Sequence, residues 1–252
     1  MKLTKVTITG IDERTDLERL QDLQKRFPFA EFGMLISGDW LLNGNRFPDP
    51  QILWNLANIL CKPYAFLHLS CHFCGTMATG IVKGDFSVMD NLLPPSDLFR
   101  IFERCQLNIN ADGMFGQLRR VKPFANLQEV IVQMHSSELF REFCKGTLPE
   151  GVSYLLDTSG GRGIDTPIQI VDAPGIHVGY AGGIGPDNVE EKLRTLLEHP
   201  SDGRFWIDME TRVRDDGDWL DLDKVEQVLA TCDALLKDYS ENNRKFIHFL
   251  FL

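Results

Sequence analysis

The chain has no long apolar run, no dinucleotide-binding glycine fingerprint and a shortage of positive charge. None of its 252 residues falls in a stretch approaching the roughly 20 apolar residues that span a bilayer. Met1–Thr9 alternates apolar with polar or basic side chains and lacks a continuous apolar segment, so it does not read as a secretory signal. With 26 Lys and Arg against 36 Asp and Glu, the formal charge is −10. Phosphate backbones and anionic lipid repel such a chain, so neither nucleic acid nor a membrane surface is an expected partner. The six cysteines (Cys61, Cys71, Cys74, Cys105, Cys144, Cys232) include a single C-x-x-C. Without a secretory signal they read as reduced thiols in a cytoplasmic protein.

The remaining composition is that of an ordinary globular protein, with 43% hydrophobic and 25% charged residues. A chain of this size buries a sizeable core without disulfides or metal. It has no short internal repeat. Instead, short apolar runs alternate with amphipathic stretches. Strands are expected at Val6–Gly10, Glu31–Ser37, Phe66–Cys71, Gln106–Asn110, Glu129–Gln133, Ser153–Asp157, Val178–Ala181 and Phe205–Met209. Helical spacing marks Asp16–Arg26, Pro50–Leu60, Ser96–Phe102, Ser137–Cys144, Asp187–Glu198 and Asp223–Lys237. Asp187 and Asp223 each stand where an N-cap belongs.

Alternating strands and helices imply parallel strands with right-handed crossovers. Eight such units in this length predict an α/β single-domain (β/α)8 TIM barrel over residues 1–252. The rival is an open doubly wound sheet, which usually places G-x-G-x-x-G after its first strand; Gly10-Ile11-Asp12-Glu13-Arg14 offers none. The apolar tail Lys245–Leu252 is expected to cover the outside of the barrel or a partner surface.

Barrel chemistry belongs at the C-terminal ends of the strands. In order, those ends read Thr9-Gly10, Ser37, Cys71-His72, Asn108 and Asn110, Gln133 with His135, Asp157-Thr158, Gly182-Gly183 and Glu210. This polar ring is either functional or simply solvated. The densest signal is Ala181-Gly182-Gly183-Ile184-Gly185-Pro186-Asp187-Asn188, between a strand and a helix. Glycines there let backbone amides approach an anion at a helix N-terminus, although a plain strand-to-helix turn needs glycine too. Ser159-Gly160-Gly161-Arg162-Gly163 follows Asp157 and suits a lid carrying one cation.

His68-Leu69-Ser70-Cys71-His72-Phe73-Cys74 holds zinc-type ligands. On a strand, however, His68, Ser70 and His72 share one face and Cys71 the other, and no second C-x-x-C completes a site. Buried thiols are the favoured reading, and neither a metal nor a cofactor is expected.

The succession Leu155-Leu156-Asp157-Thr158, Gly160-Gly161-Arg162-Gly163 and Ala181-Gly182-Gly183-Ile184-Gly185-Pro186-Asp187-Asn188-Val189 resembles the C-terminal half of phosphoribosylanthranilate isomerases. The likeness continues through Ile207-Asp208 and Leu222-Asp223-Lys224-Val225. Gln106-Leu107-Asn108 is similar to the family's Gln-Leu-His on strand 4, Asn45-Arg46-Phe47 to its Ser-Pro-Arg loop, and Ile8-Thr9-Gly10 to its Ile-Cys-Gly on strand 1. The resemblance implies a single (β/α)8 barrel that carries out an Amadori rearrangement, turning an aminoaldose phosphate into an aminoketose phosphate. It makes Asp157 the general acid on the ribose ring oxygen, Arg46 the partner of a ligand carboxylate, and Gly182 and Gly183 the phosphate grip. The implied partner is a small anionic, phosphorylated ligand. Asn108, Gly160, Gly161, Arg162, Glu210 and Arg212 complete the expected binding surface.

Two departures bear on the chemistry. Thr9 stands where the family has its catalytic cysteine, and a hydroxyl needs a partner to act as a base. Glu210-Thr211-Arg212 replaces the family's Ser-Ser-Gly, bringing a carboxylate toward the phosphate unless Arg212, Arg214 or Arg162 neutralises it. Asp12 and His72 are the candidate replacement bases, although Asp12 also suits a helix start and His72 a hydrogen-bonded rim. Two readings therefore stand: an aldose–ketose isomerase using Asp157 and another base, or a non-catalytic relative that binds an anionic ligand.

Overall fold

A computed structural model of the protein describes residues 1–37, 44–49, 51–60, 66–89, 101–124 and 127–250. Eight strands run β1 Lys2–Thr9, β2 Ala30–Ile36, β3 Leu69–Cys74, β4 Arg104–Asn108, β5 Glu129–Met134, β6 Val152–Asp157, β7 Val178–Ala181 and β8 Arg204–Met209. Each pairs in parallel with the next, and β8 pairs with β1, so the sheet closes as a barrel. Around it lie α1 Leu17–Arg26, α2 Gln51–Leu60, α3 Gly75–Lys83, the short α4 Phe115–Leu118, α5 Ser137–Cys144, α6 Val189–Glu198 and α7 Leu222–Leu250. The expected closed (β/α)8 barrel is the observed one, not the open sheet.

The main core lies between sheet and helices. Leu20 and Leu23 of α1, Phe140 and Phe143 of α5, Leu193 and Leu196 of α6, and Val225, Val228 and Leu229 of α7 are all buried there. These positions repeat every three to four residues, which places them on one stripe of each helix. Inside the barrel the packing is different. Such interiors are normally layered with branched apolar side chains, but here the apolar cluster shrinks to Ile131, Leu155 and Trp206. Gly179 leaves room for Trp206, because a β-carbon at that position would stand 2.2 Å from the indole. Below it, Arg104 pairs with Glu31 at 3.1 Å and Glu129 at 3.0 Å, and its guanidinium lies 4.6 Å over the Trp206 ring. His177 Nδ1 donates to Glu129 Oε1 at 2.8 Å.

The structure corrects several sequence expectations. β3 begins and ends three residues later than expected, at Leu69–Cys74, because its partners fix it there: Ser70 faces Gly33, and Cys74 faces Asn108. Phe66, expected to open that strand, is 57% exposed. The helix α3, GTMATGIVK, escaped the periodicity search because glycine and threonine are poor helix formers. Burial of Met77, Ala78, Ile81 and Val82 against the sheet outweighs that propensity. The N-cap position of α6 is held by Asn188, not Asp187, and its side chain makes no capping hydrogen bond. At α7 the capping carboxylate belongs to Asp221, which accepts from the amides of Asp223 and Lys224. The expected helix Ser96–Phe102 lies almost wholly outside the described residues, as do the side chains of the apolar tail Lys245–Leu252. No helix among the described residues is long and apolar enough to cross a membrane.

Candidate active site at the mouth of the barrel

A cavity of about 330 Å³ opens at the C-terminal ends of the strands. Of the residues expected there, Thr9, Arg46, His72, Asn108, Asp157, Gly161, Gly182, Gly183, Glu210 and Arg212 line it, whereas Asp12, Gly160 and Arg162 do not. Asp12 is buried to one side, accepting from Leu220 N at 2.7 Å, Thr15 Oγ1 at 3.0 Å and Arg214 Nη2 at 3.3 Å. Burial raises its pKa in spite of these bonds. It ties the exit of β1 to the segment after β8. Arg162 turns its Nε to the Ser159 carbonyl at 2.8 Å.

Asp157 ends β6 and is 5% exposed. Its Oδ1 accepts from Ser159 N at 3.0 Å and Ser159 Oγ at 2.7 Å, and its Oδ2 from Gln133 Nε2 at 2.8 Å and the Gly161 amide. Four donors therefore fix the carboxyl in one orientation. Three of them come from the glycine-rich turn that follows it.

Across the mouth, Thr9 Oγ1 donates to Asp208 Oδ1 at 2.9 Å and lies 3.5 Å from His72 Nδ1. His72 Nε2 meets Ser70 Oγ at 3.0 Å. Gly33 makes this row possible: a β-carbon there would lie 2.7 Å from Thr9 Oγ1 and 2.9 Å from His72 Nε2. Burial, reinforced by Arg104, drives the His72 pKa down to about 3, so the ring stays a neutral imidazole near neutrality. Asp208 behaves oppositely. Burial raises it to about 8, with Glu210 and Glu31 adding to the rise and Thr9 and Arg104 opposing it. Sequence reasoning passed over Asp208 as a site residue. The signal available was a single acid in the otherwise apolar strand end Phe205-Trp206-Ile207-Asp208-Met209.

Cys74 also lines the cavity, and burial pushes its thiol up to about 12, leaving it protonated. Cys71 faces the opposite side of β3, fully buried. Among the described residues no three His, Cys, Asp or Glu side chains converge as a metal-ligand set.

Glu210 reaches the cavity, but Arg46 neutralises it at 2.9 Å while holding Asp218 at 2.8 Å. Burial still raises the Glu210 pKa, against the pull of Arg46 and Arg214. The glycine turn after β7 faces another carboxylate of the chain itself. Asp165 receives Lys192 Nζ at 2.7 Å, Asn188 Nδ2 at 2.9 Å and Arg212 Nη1 at 3.4 Å. These partners, Lys192 first, lower its pKa. Gly183 has φ +64°, and a β-carbon there would stand 2.4 Å from the Asp165 amide nitrogen. The segment after β6 thus lies directly on the turn.

No protein-family model matches this sequence, and no curated protein does. Solved structures do match. A phosphoribosyl anthranilate isomerase from Thermus thermophilus aligns with a TM-score of 0.57 at 17% identity, covering 93% of this chain and 100% of that one. A phosphoribosyl anthranilate isomerase in complex with reduced 1-(o-carboxyphenylamino)-1-deoxyribulose 5-phosphate aligns at 0.52 and 13% identity, over 92% of this chain and 99% of its own. Monomers generated from the dimeric enzyme of Thermotoga maritima align at 0.51 and 14%, over 91% and 98%. At these identities the likeness establishes the (β/α)8 barrel fold.

Proposed function

We propose that this protein is an aldose–ketose isomerase whose active site is the mouth cavity, acting by an Amadori-type rearrangement on a small, phosphorylated sugar derivative. The observation that carries the reading is the placement of Asp157, from the end of β6, in the same cavity as the Thr9–Asp208 pair from β1 and β8. A rearrangement of this kind needs a proton delivered to the ring oxygen and another removed from C2. Groups on walls two strands apart are suitably placed to work at the two ends of one bound sugar. Asp157 delivers the first proton: the C1–O bond breaks, and the nitrogen lone pair on C1 forms the iminium. Gln106, Asn108 and Gln133 supply amide groups of the kind that bind hydroxyls.

The test is turnover of phosphoribosylanthranilate, of other N-substituted aldosylamines and of their unphosphorylated forms, with product identified by NMR. Asp157→Asn is expected to lose at least 100-fold in rate while unfolding at the wild-type temperature, in line with removal of a general acid (~10²–10⁴). Wild-type turnover in that variant removes Asp157 from the reaction. A second reading, a binding protein without turnover, is favoured by one observation: Arg46 and Arg212 are both already engaged by carboxylates of the chain. Thermal stabilisation by a sugar phosphate that is never converted selects that reading.

A further inference from the structure

Asp208 is the last but one residue of β8, in register with Thr7 of β1, 6% exposed and on the wall of the cavity. Its hydrogen bonding contrasts with that of Asp157. Where Asp157 accepts four hydrogen bonds, Asp208 has one, from Thr9 Oγ1 to Oδ1 at 2.9 Å. Among the described residues no protein donor reaches its Oδ2, which leaves that oxygen with a lone pair for a ligand. Glu31 on β2 and Glu210 after β8 face it as like charges, Arg104 on β4 is the opposing cation, and His72 on β3 is neutral. Asp12 is turned away beneath Arg214, and the Cys74 thiol stays protonated.

We propose that Asp208 is the base that removes the C2 proton of the sugar, and that Thr9 is the residue that positions it. This rests on the isomerase reading above. In the step, an Asp208 lone pair takes the hydrogen from C2, and the C2–H electrons become the C1–C2 double bond. The iminium nitrogen receives the displaced pair, giving a neutral 1-amino-enol. The enol hydroxyl then loses its proton as C1 gains one from Asp208, leaving a C2 ketone and a C1 methylene. No outside oxidant or reductant enters, because C1 is reduced as C2 is oxidised. The basicity that burial gives Asp208 suits it to carbon acids better than an ordinary aspartate.

The experiment follows the C2 hydrogen in deuterated buffer by NMR, as loss of the C2–H signal and as the hydrogen gained at C1. It uses phosphoribosylanthranilate and a panel of aldosylamines with and without 5-phosphate, on wild type, Asp208→Asn, Asp208→Glu, Thr9→Val and Thr9→Ser. Wild type is expected to lose the C2–H signal and to add one hydrogen at C1, a deuteron wherever Asp208 has exchanged with solvent, with a rate that climbs about tenfold per pH unit below its apparent pKa and levels above about 8. Asp208→Asn is expected to lose at least 100-fold, and Asp208→Glu to keep part of the rate. Thr9→Val is expected to move the pH midpoint upward, and Thr9→Ser to restore it. C2–H loss that persists in Asp208→Asn overturns the assignment and leaves the isomerase reading standing. Absence of C2–H loss by wild type on every compound overturns both. Equal melting temperatures across the set separate a chemical loss from a folding one.

Discussion

Lys192 Nζ and Asp165 Oδ1 lie 2.7 Å apart, an ion pair that fastens the segment after β6 to the first turn of α6. Lys192 is buried and also donates to the Thr166 and Gly182 carbonyls, so its charge is directed at the glycine turn from beneath. The carboxylate of Asp165 therefore rests where the resemblance to isomerases puts a phosphate grip.

Asp165→Ala releases Lys192 and Arg212 from that carboxylate. Inorganic phosphate should then stabilise the variant more than wild type, with an apparent affinity raised about tenfold, equivalent to ~1.4 kcal/mol. Differential scanning fluorimetry against a phosphate series, with chloride as control, measures it. Identical phosphate responses in the two proteins mean that Asp165 and phosphate do not compete.

Glu129 is held at about 2 against an ordinary 4.5, by its bonds to His177 and Ser153 and the nearby charge of Arg104, which together outweigh burial. A depressed carboxylate contributes stability that is present above the unfolded value and lost as pH falls through the folded one. Urea midpoints should accordingly decline between pH 4.5 and about 2. Glu129→Gln should remove much of that decline. It should also cost ~3–5 kcal/mol at neutral pH by leaving Arg104 partly unpaired in the barrel floor.

Asp208 carries the opposite sign. With its pKa raised from 3.8 to about 8, the folded state keeps a proton that the unfolded state has released. Its contribution is complete below 3.8 and lost as pH rises toward about 8. Asp208→Asn should flatten that part of the stability curve. Denaturant titrations at half-unit pH intervals decide the point without any substrate, and a slope equal to that of wild type contradicts the protonated, buried state.

Gly33→Ala introduces a β-carbon 2.7 Å from Thr9 Oγ1 and 2.9 Å from His72 Nε2. The two side chains must part, so a loss of ~1–3 kcal/mol in stability is expected from overpacking, together with a disturbed Thr9–Asp208 bond. The His72 imidazole resonances report the displacement directly. Unmoved resonances and unchanged stability mean that the row tolerates the methyl group.

The barrel was readable from the sequence because each strand ends in a change from apolar to polar residues and each long helix has an apolar stripe. The glycine turn at Gly182-Gly183 and the acid at Asp157 stand out for the same reason, since both are abrupt local breaks. What the sequence hid depends on contacts between distant strands. Asp208 reads as the tail of a buried strand until β8 meets β1 and Thr9 turns toward it. Asp165 sits in an unstructured stretch and acquires meaning only when Lys192, 27 positions later in the chain, reaches it. The Arg104–Glu129 floor likewise joins β4 to β5 and shows no short-range pattern.

The most direct measurement of the central claim is ¹³C NMR of a C1-labelled aldosylamine phosphate incubated with wild type and with Asp157→Asn. The account predicts that wild type replaces the anomeric carbon signal with that of a methylene carbon, while the variant, folded and equally stable, leaves the anomeric signal in place. An anomeric signal that decays alike in both proteins, or in neither, contradicts it.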